Sequence, residues 1–322
     1  MEWMRYNTNV PVPTVVSHDA CSANPVGFEW ILMTKLPGKP LADAWRSLSY
    51  PAKEGLAKRF AEYSSSLFKN QLSGIGNIYA ASLPKVDRIV SMHFFCGDHI
   101  HQDVCRGPFS STRNWMDARL ALSEHDCRST LTKYSDRNGI DTDDEDALDD
   151  AQRTLKIVNK LKALVGQIFS VDHLEDEPSM LFHDDLPQHN ILVNDSGALT
   201  GVLDWECVSA LPRWKACYYP SFLEGRPQEK RPELARYKRE SSGVPADLYW
   251  DHLMEYELTT LRRVFLDEMA RLEPGWVEIF NSSQLQRDLD LAVQNCDINE
   301  WIDEIVARRS NIRSLQDRID DT

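Results

Sequence analysis

The residues in this chain best suited to chemistry lie in the segment His183–Asn190, which reads His-Asp-Asp-Leu-Pro-Gln-His-Asn, and at Asp204–Glu206, which begins fourteen positions later. The carboxylate of Asp185 can orient a hydroxyl group. The side chains of Asn190 and Asp204 offer the oxygen ligands that magnesium prefers. Phosphoryl transfer depends mainly on positioning and on neutralising negative charge. The spacing therefore predicts a phosphoryl-transfer centre.

A short hairpin is expected to bring the two halves of this centre together. Ile191–Val193 and Leu199–Leu203 are apolar runs, and Asn194–Gly197 between them is a turn signal. Folding the two runs back on each other returns Asp204 to the end where Asn190 lies. Two oxygen ligands would then converge on one cation.

The pattern H-x-D-x-x-x-x-N, a strand, a turn and a second strand ending in Leu-Asp-Trp-Glu resembles the aminoglycoside phosphotransferase family of kinase-like enzymes. Matched position by position, the resemblance makes Asp185 the catalytic aspartate, His183 the histidine that braces the catalytic loop, and Asn190 and Asp204 the magnesium ligands. The resemblance extends from near residue 7 to roughly residue 240. Within the family, the chain is similar to a fungal branch named for altered inheritance of mitochondria. Further segments carry it: Asn7–Pro13, Ile31–Gly38, Arg106–Phe109, Trp214–Cys217 and Phe222–Gly225.

The resemblance implies an α+β, protein-kinase-like fold of two lobes. Residues 1–36 would be a remnant of a small β lobe, and residues 37–322 a mainly helical lobe with the catalytic loop at 183–190 and the metal-binding hairpin end at 204–206. The backbone of the hinge segment would line the adenine pocket of ATP; its residues are Met33, Thr34, Lys35 and Leu36.

Two parts of the nucleotide clamp of kinase-like enzymes have no counterpart in the sequence. Such enzymes use a glycine-rich hairpin and a strand lysine to hold the phosphates, but no glycine precedes Gly27 and the first lysine is Lys35. We expect the chain to begin inside or just after the helix that would follow that lysine. It is then either a piece of a longer enzyme or a relative that has lost this half.

Several polar and aromatic residues near the motif are candidates for substrate contact. Glu206 would support the metal or substrate, or begin a helix, and Asp184 would tune Asp185 or be an exposed side chain. Trp205 and Trp214 would line a substrate cleft or belong to the core. Glu224, within the family-like segment, is a further substrate candidate.

A second cluster, Cys96, His99, His101 and Cys105, has residue types that bind zinc. Alternation along a strand would place His99 and His101 on one face. The spacing is not that of a zinc finger, and the resembled family has no metal in this stretch. Zinc is therefore the weaker alternative.

Composition limits the other possibilities. The 322 residues are 42% hydrophobic, which suits one large or two modest folded domains rather than a disordered chain. A net charge of -14 argues against a nucleic-acid surface and fits either a cationic substrate or ordinary surface charge. The seven scattered cysteines fit reduced thiols inside a cell, and no apolar run reaches membrane-spanning length. We expect a cytoplasmic protein, or a mitochondrial one if an upstream segment exists.

Hydrophobic periodicity predicts the main elements. Strands are expected at 14–16 and 28–34, and a loop-rich stretch with short strands at 74–111. The acidic run over 141–146 should be a solvated loop entering a helix. Helices are expected at 51–70, Leu148–Ile168, Leu253–Phe265 and Trp301–Ile305.

The function these features predict is transfer of the γ-phosphate of Mg-ATP to a hydroxyl group of a small molecule, either an aminoglycoside-like compound or another metabolite. The alternative is a catalytically impaired pseudokinase that acts as a binding module.

Overall fold

Helices and strands are mixed along the chain, which confirms the predicted α+β class. The computed structural model describes residues 1–79, 85–134, 142–169, 176–206, 208–238 and 246–296. The helices are α1 Glu2–Asn7, α2 Leu41–Ala44, α3 Tyr50–Lys69, α4 Met92–Phe95, α5 Thr112–Tyr134, α6 Thr142–Ile168, α7 Arg213–Ala216, α8 Asp247–Leu272, α9 Pro274–Ser282 and α10 Gln284–Gln294. The strands are β1 Val15–Asp19, β2 Trp30–Met33, β3 Lys39–Pro40, β4 Leu72–Ser73, β5 Asn77–Tyr79, β6 Lys85–Asp87, β7 Pro178–Phe182, β8 Ile191–Val193, β9 Leu199–Val202 and β10 Ser209–Pro212.

The chain divides into two compact units, each assembled from segments that are distant in sequence. The first unit contains Met1–Gln71, His183–Val208 and Cys217–Glu278. The second contains the described parts of Leu72–Phe182, Ser209–Ala216 and Ile279–Thr322. This division does not follow the boundary expected between residues 36 and 37, so the assignment of those ranges to two lobes stays a prediction.

Helix α3 forms the core of the first unit and confirms the helix predicted over 51–70. Ser49 caps its N-terminus, because the Ser49 hydroxyl oxygen accepts a hydrogen bond from the N–H of Ala52. Of the predicted stripe Leu56, Phe60, Tyr63 and Leu67, the first three residues are buried and Leu67 is partly buried. This face packs against α8, which begins before the helix predicted from Leu253 and extends beyond it.

A buried ion pair and an aromatic cluster join the elements of this unit. Lys53 Nζ on α3 lies 2.7 Å from Glu257 Oε2 on α8, and both side chains are largely withdrawn from water. The ring of Phe60 lies 4.7 Å from that of Phe222, between centroids. Because Phe222 belongs to a 3₁₀ turn at Ser221–Leu223, that turn is fixed to the helical core.

A three-stranded sheet in the order β3-β8-β9 lies in the same unit and confirms the hairpin predicted between Ile191 and Leu203. Gly38, just before β3, adopts a positive φ of 110°. A Cβ atom there would lie 2.4 Å from Thr200 Oγ1 and 2.8 Å from the Val193 carbonyl oxygen. Only glycine fits this crossing, which holds the segment before β3 against β8 and β9.

Strands β1 and β2 form a separate two-stranded antiparallel sheet, close to the strands predicted at 14–16 and 28–34. Its side chains are mostly exposed although many are apolar: Val16 is 63% exposed, Ile31 48% and Leu32 55%. Among the described residues, no third strand pairs with this sheet. We refer to β1 and β2 together as the N-terminal ribbon.

The second unit contains a three-stranded sheet, β10-β7-β4, a small β5-β6 hairpin and two long helices, α5 and α6, that pack together. The loop-rich region expected over 74–111 is confirmed, with short strands and the one-turn helix α4. Helix α5 was not predicted. Helix α6 begins at Thr142, so the acidic residues from position 142 onward belong to the helix rather than to a preceding loop. Carboxylates are favourable in the first turn because of the helix dipole.

A buried charge cluster connects three helices of the second unit. The carboxylate of Asp290 on α10 pairs with the guanidinium of Arg119 on α5 and lies 2.8 Å from Lys215 Nζ on α7. Asp290 is 5% exposed and Arg119 6%. The two neighbouring cations hold the pKa of Asp290 at about 2 despite its burial.

Two further predictions concern the helices. Within the described part of the chain, none of the helices is long and apolar enough to span a membrane. The helix predicted around Trp301 and Ile305 lies outside the described residues.

Candidate active site

The β8-β9 hairpin brings Asn190 and Asp204 together. Asn190 ends a 3₁₀ turn and enters β8, which is buried at all three positions. The Asn194 side chain accepts hydrogen bonds from the backbone N–H groups of Ser196 and Ala198, which shapes the turn, and β9 then returns the chain. Beyond β9, the N–H of Leu203 donates to the carbonyl oxygen of Asn190 over 2.8 Å. Asp204 therefore follows directly after a residue that is bonded to Asn190.

The side chains of Asn190 and Asp204 face each other. Nδ2 of Asn190 lies 3.4 Å from Oδ2 of Asp204. In this orientation Nδ2 can also donate to the backbone carbonyl oxygen of Asp185. Asp204 is exposed and adopts a positive φ of 57°, the one non-glycine residue to do so in the described chain. This left-handed conformation, which Asp and Asn tolerate better than most residues, turns the carboxylate out of the strand direction.

His183 connects the start of the catalytic loop to the end of β9. Its Nε2 lies 3.2 Å from the carbonyl oxygen of Leu203, and its Nδ1 is buried with no hydrogen-bond partner among the described residues. Burial lowers the pKa of His183, only partly offset by the Leu203 carbonyl and the nearby carboxylates. A neutral ring would donate from Nε2 to Leu203 and leave Nδ1 as an acceptor. The bracing role predicted for His183 thus has a physical contact behind it.

Asp185 lies in the same loop with its side chain exposed. Its backbone carbonyl oxygen accepts a hydrogen bond from Nδ2 of Asn190 over 3.4 Å. The next residue, Leu186, is buried, and its N–H donates to the hydroxyl oxygen of Ser221 over 2.6 Å. Sequence reasoning missed Ser221, because a serine after a proline has the appearance of an ordinary turn residue.

The predicted hinge segment lies beside β9. Met33 pairs with Val15 in the N-terminal ribbon, and the N–H of Thr34 donates to the carbonyl oxygen of Thr14 over 2.9 Å. The structure gives the backbone N–H groups of Lys35 and Leu36 no hydrogen-bond partner within the described residues. A Cβ atom at Gly201 would lie 2.6 Å from the Leu36 side chain, so this segment packs closely on β9.

Three of the four substrate candidates lie in the same unit as the catalytic loop. The ring of Trp205 contacts that of His183 edge-on, with centroids 5.3 Å apart, and its Nε1 donates to the carbonyl oxygen of Val202. Glu206 and Glu224 are exposed, the latter at the end of the Ser221–Leu223 turn. Trp205 is therefore partly engaged in supporting the loop, and the substrate roles of all three stay predictions.

Trp214 lies in the second unit and has the contacts of a core residue. It is 8% exposed, and its Nε1 donates to Thr112 Oγ1 over 2.9 Å. Its ring lies 5.5 Å from that of Phe169 and 6.4 Å from that of Trp115. These contacts favour the core alternative for Trp214, and its substrate role stays a prediction.

The zinc alternative gains no support from the arrangement of its residues. Residues 97–101 form a 3₁₀ turn rather than a strand. Both ring nitrogens of His99 have protein partners at 2.7 Å, the carbonyl oxygen of His93 and the carboxylate of Asp126. Within the described ranges, no group of three or more His, Cys, Asp or Glu side chains is placed to hold a metal ion.

The chain is similar to curated proteins of two species. A subtelomeric hrmA-associated cluster protein of Aspergillus fumigatus is 24% identical over 264 residues, and a protein of the same description from a second strain matches equally well. The clavilactone A biosynthesis cluster protein Y of Ampulloclitocybe clavipes is 29% identical over 231 residues. Each match covers 69% of this chain and 51% of the relative, so the chain spans about half the length of the curated relatives it matches.

A model of the phosphotransferase enzyme family (APH) matches residues 1–214. The matched region includes the predicted catalytic loop at 183–190, the β8-β9 hairpin and both predicted metal ligands. Because the match covers well over half of the 322 residues, the chain belongs to the phosphotransferase enzyme family and has its kinase-like α+β fold.

Proposed function

We propose that this chain contributes the catalytic centre for transfer of the γ-phosphoryl group of Mg-ATP to a hydroxyl group of a small molecule. The observation that carries the proposal is the approach of Asn190 to Asp204, whose side chains lie 3.4 Å apart beside the exposed Asp185. An amide and a carboxylate that approach each other next to an exposed aspartate are suited to bind the metal and orient the hydroxyl in phosphoryl transfer, whereas the phosphate-holding lysine and glycine-rich hairpin have no counterpart in the sequence.

The residues at the hairpin end fit a magnesium ion. Magnesium in such sites takes one or two protein oxygens and completes its octahedron with water and phosphate oxygens. Asp204 would supply one oxygen, and the amide oxygen Oδ1 of Asn190 would supply another. When bound, the ion would offset negative charge on the phosphate oxygens. The left-handed backbone of Asp204 supports this assignment, because it directs the carboxylate toward Asn190.

Asp185 is the group that would orient the acceptor hydroxyl and receive its proton. Its carboxylate is exposed, so an acceptor can reach it, and the buried Leu186 next to it anchors the loop. In phosphoryl transfer with a loose transition state, correct placement of this carboxylate matters more than a strongly shifted pKa.

The backbone of Lys35 and Leu36 is suited to an adenine ring. Unpaired backbone N–H and C=O groups in an exposed segment can bond the edge of a planar base, and here the adjoining residue Thr34 is already used by the ribbon. Met33 and Leu36 would contribute apolar surface on either side of that edge.

The acceptor is a small molecule with a free hydroxyl group, and Trp205, Glu206 and Glu224 are the candidate contacts. Exposed carboxylates at Glu206 and Glu224 favour an acceptor that also carries positive charge. Fold and family do not identify the compound.

Nucleotide binding and phosphoryl transfer are tested separately. Calorimetry with ATP should detect binding in magnesium that is lost in EDTA. Transfer of labelled γ-phosphate should then be followed over a panel of aminoglycosides, sugars and choline-like alcohols. Asp185→Asn should reduce transfer by about 10²–10⁴-fold without affecting ATP binding.

The matched control is Asp195→Asn, which removes the same charge from an exposed hairpin tip. Within the described part of the chain, Lys39 is the one charged partner of Asp195. This variant should leave both measurements unchanged. ATP binding without transfer to any acceptor would favour the alternative of a non-catalytic binding module. Equal transfer by wild type and Asp185→Asn would refute the role of Asp185.

A further inference from the structure

We propose that Ser221 is a positioning residue for Asp185, a role that rests on the proposed phosphotransfer function. The hydroxyl oxygen of Ser221 accepts a hydrogen bond from the N–H of Leu186 over 2.6 Å. That N–H belongs to the peptide group joining Asp185 to Leu186. The bond therefore acts on the backbone that carries the catalytic carboxylate.

The same peptide group is held at its other end. Its carbonyl oxygen, which belongs to Asp185, accepts a longer hydrogen bond of 3.4 Å from Nδ2 of Asn190. Because a peptide group is planar and rigid, fixing both its N–H and its C=O leaves it one orientation. That orientation sets the direction in which the side chain of Asp185 leaves the chain. Ser221 and Asn190 thus aim Asp185 together.

Ser221 can hold this peptide because its own backbone is anchored. It begins the 3₁₀ turn Ser221–Leu223, whose other two residues are buried. The carbonyl oxygen of Leu223 accepts a hydrogen bond from Arg262 Nη1 on α8 over 2.7 Å. Phe222 packs on Phe60 of α3. The turn is thereby tied to both long helices of the first unit, and it transmits their rigidity to the catalytic loop.

Two roles are possible for Ser221, aiming Asp185 or only satisfying the Leu186 N–H, and they predict different effects. A serine that only satisfied the Leu186 N–H would affect stability, and its loss would leave the chemistry of folded molecules intact. A serine that aims Asp185 affects the rate of transfer in the folded enzyme, because small displacements of a catalytic group reduce rates steeply. It should have little influence on nucleotide binding, which uses other groups.

The experiment compares Ser221→Ala with Ser221→Thr, which keeps the hydroxyl group. Ser47→Ala is the matched control, since Ser47 also bonds a backbone group, the carbonyl oxygen of Ala44, in the same unit. Amide hydrogen exchange of Leu186 and the kinetics of phosphate transfer are measured on protein that is folded by circular dichroism. Ser221→Ala should expose the Leu186 amide to exchange and lower kcat roughly 10- to 100-fold, with KM for Mg-ATP within about twofold of wild type.

Ser221→Thr should restore both protection and kcat, and Ser47→Ala should match wild type. A wild-type kcat in Ser221→Ala would overturn the aiming role even if the amide exchanges faster. If wild type itself transfers no phosphate, the proposed function fails. The exchange data still decide the inference in that case, because unchanged protection of Leu186 in Ser221→Ala would show that Ser221 does not hold this peptide.

Discussion

The Nε2 atom of His183 and the carbonyl oxygen of Leu203 lie 3.2 Å apart, which joins the first residue of the catalytic loop to the residue before Asp204. Burial keeps the pKa of this histidine below its ordinary value. The neutral ring can donate to Leu203 without placing a positive charge beside a prospective metal site. The hydrogen bond from His183 thus links the two halves of the candidate active site without adding a positive charge that would repel a metal ion.

Replacing Asp204 by asparagine should preserve the stability of the fold but impair magnesium-dependent binding of ATP. Both residues accept the left-handed conformation that Asp204 adopts, so Asp204→Asn should change the free energy of unfolding by less than about 0.5 kcal/mol. The loss of a charged oxygen ligand should remove the dependence of ATP binding on magnesium, which calorimetry measures. Asp204→Val, with a β-branched side chain at positive φ, should destabilise the protein by about 1–2 kcal/mol in urea unfolding. A stable valine variant would contradict the backbone account.

Gly38 should be irreplaceable even by alanine. Its positive φ and the close approach of Thr200 and the Val193 carbonyl leave no room for a Cβ atom. Gly38→Ala should lower the free energy of unfolding by at least about 2 kcal/mol. Gly55→Ala is the control, because Gly55 is an exposed residue inside α3 with no neighbour near the added atom. It should raise stability by about 0.5–1 kcal/mol, and equal effects of the two substitutions in urea unfolding would refute the predicted clash.

Removing one member of the buried charge cluster around Asp290 should lower the free energy of unfolding more than replacing both Asp290 and Arg119 by apolar residues. Asp290→Leu leaves the guanidinium of Arg119 buried without its partner, for an expected loss of about 3–5 kcal/mol. The double variant Asp290→Leu with Arg119→Met should recover most of this loss, because Lys215 can reach water. Asp288→Asn, at a partly buried position of the same helix that bonds Gln284, serves as the control. A double variant as unstable as the sum of the single ones would contradict this prediction.

Acidification should destabilise the fold through buried neutral histidines. Burial is the main cause that lowers the pKa of His93 to about 4, from an ordinary value of 6.5. The unfolded chain therefore binds the proton first. The free energy of unfolding is therefore unaffected by His93 above pH 6.5 and decreases progressively as the pH falls toward 4. His183 acts in the same direction. His99 acts in the opposite direction. Its partial burial lowers its pKa, but the bonds to Asp126 and to the His93 carbonyl outweigh this and raise the pKa, so the stability it contributes is lost as the pH rises through that raised value.

His93→Phe tests this account. The variant keeps an aromatic ring in the same space and removes the titration, so at pH 5 it should lose roughly 2 kcal/mol less than wild type, relative to each protein at pH 7.5. Urea unfolding at the two pH values measures the difference, with the exposed His18→Phe as the control. The same pH dependence in His93→Phe and in wild type would exclude His93 as the cause.

The elements that sequence predicted best are those with a local cause. The hairpin from Ile191 to Leu203 combines two short apolar runs with an Asn-Asp-Ser-Gly turn, and these signals suffice to bring Asn190 beside Asp204. Helix α3 shows a regular apolar stripe at Leu56, Phe60 and Tyr63. Both features depend on residues only a few positions apart, and both were found in the structure as expected.

The elements that sequence missed depend on distant partners. Helix α5 buries residues on a wide face that includes the charged Arg119, so no regular stripe marks it, and the partner of that arginine lies at Asp290, 171 positions later. Ser221 carries no motif, because its importance comes from one hydrogen bond to Leu186. For Trp214 the sequence left two alternatives, a cleft or the core, and the contacts with Thr112 and Phe169 are those of a core residue.

The N-terminal ribbon has a practical consequence for handling the protein. Among the described residues, no further strand pairs with either edge of the ribbon, and side chains such as Val16 and Leu32 are exposed. The ribbon therefore offers an extended peptide both backbone hydrogen-bond partners and an apolar face. We therefore expect folded molecules of the isolated chain to associate through the ribbon, so that association rather than unfolding sets the highest concentration at which the protein stays in solution. Ile31→Lys, within β2, should raise the protein concentration at which light scattering first increases and leave the melting temperature unchanged.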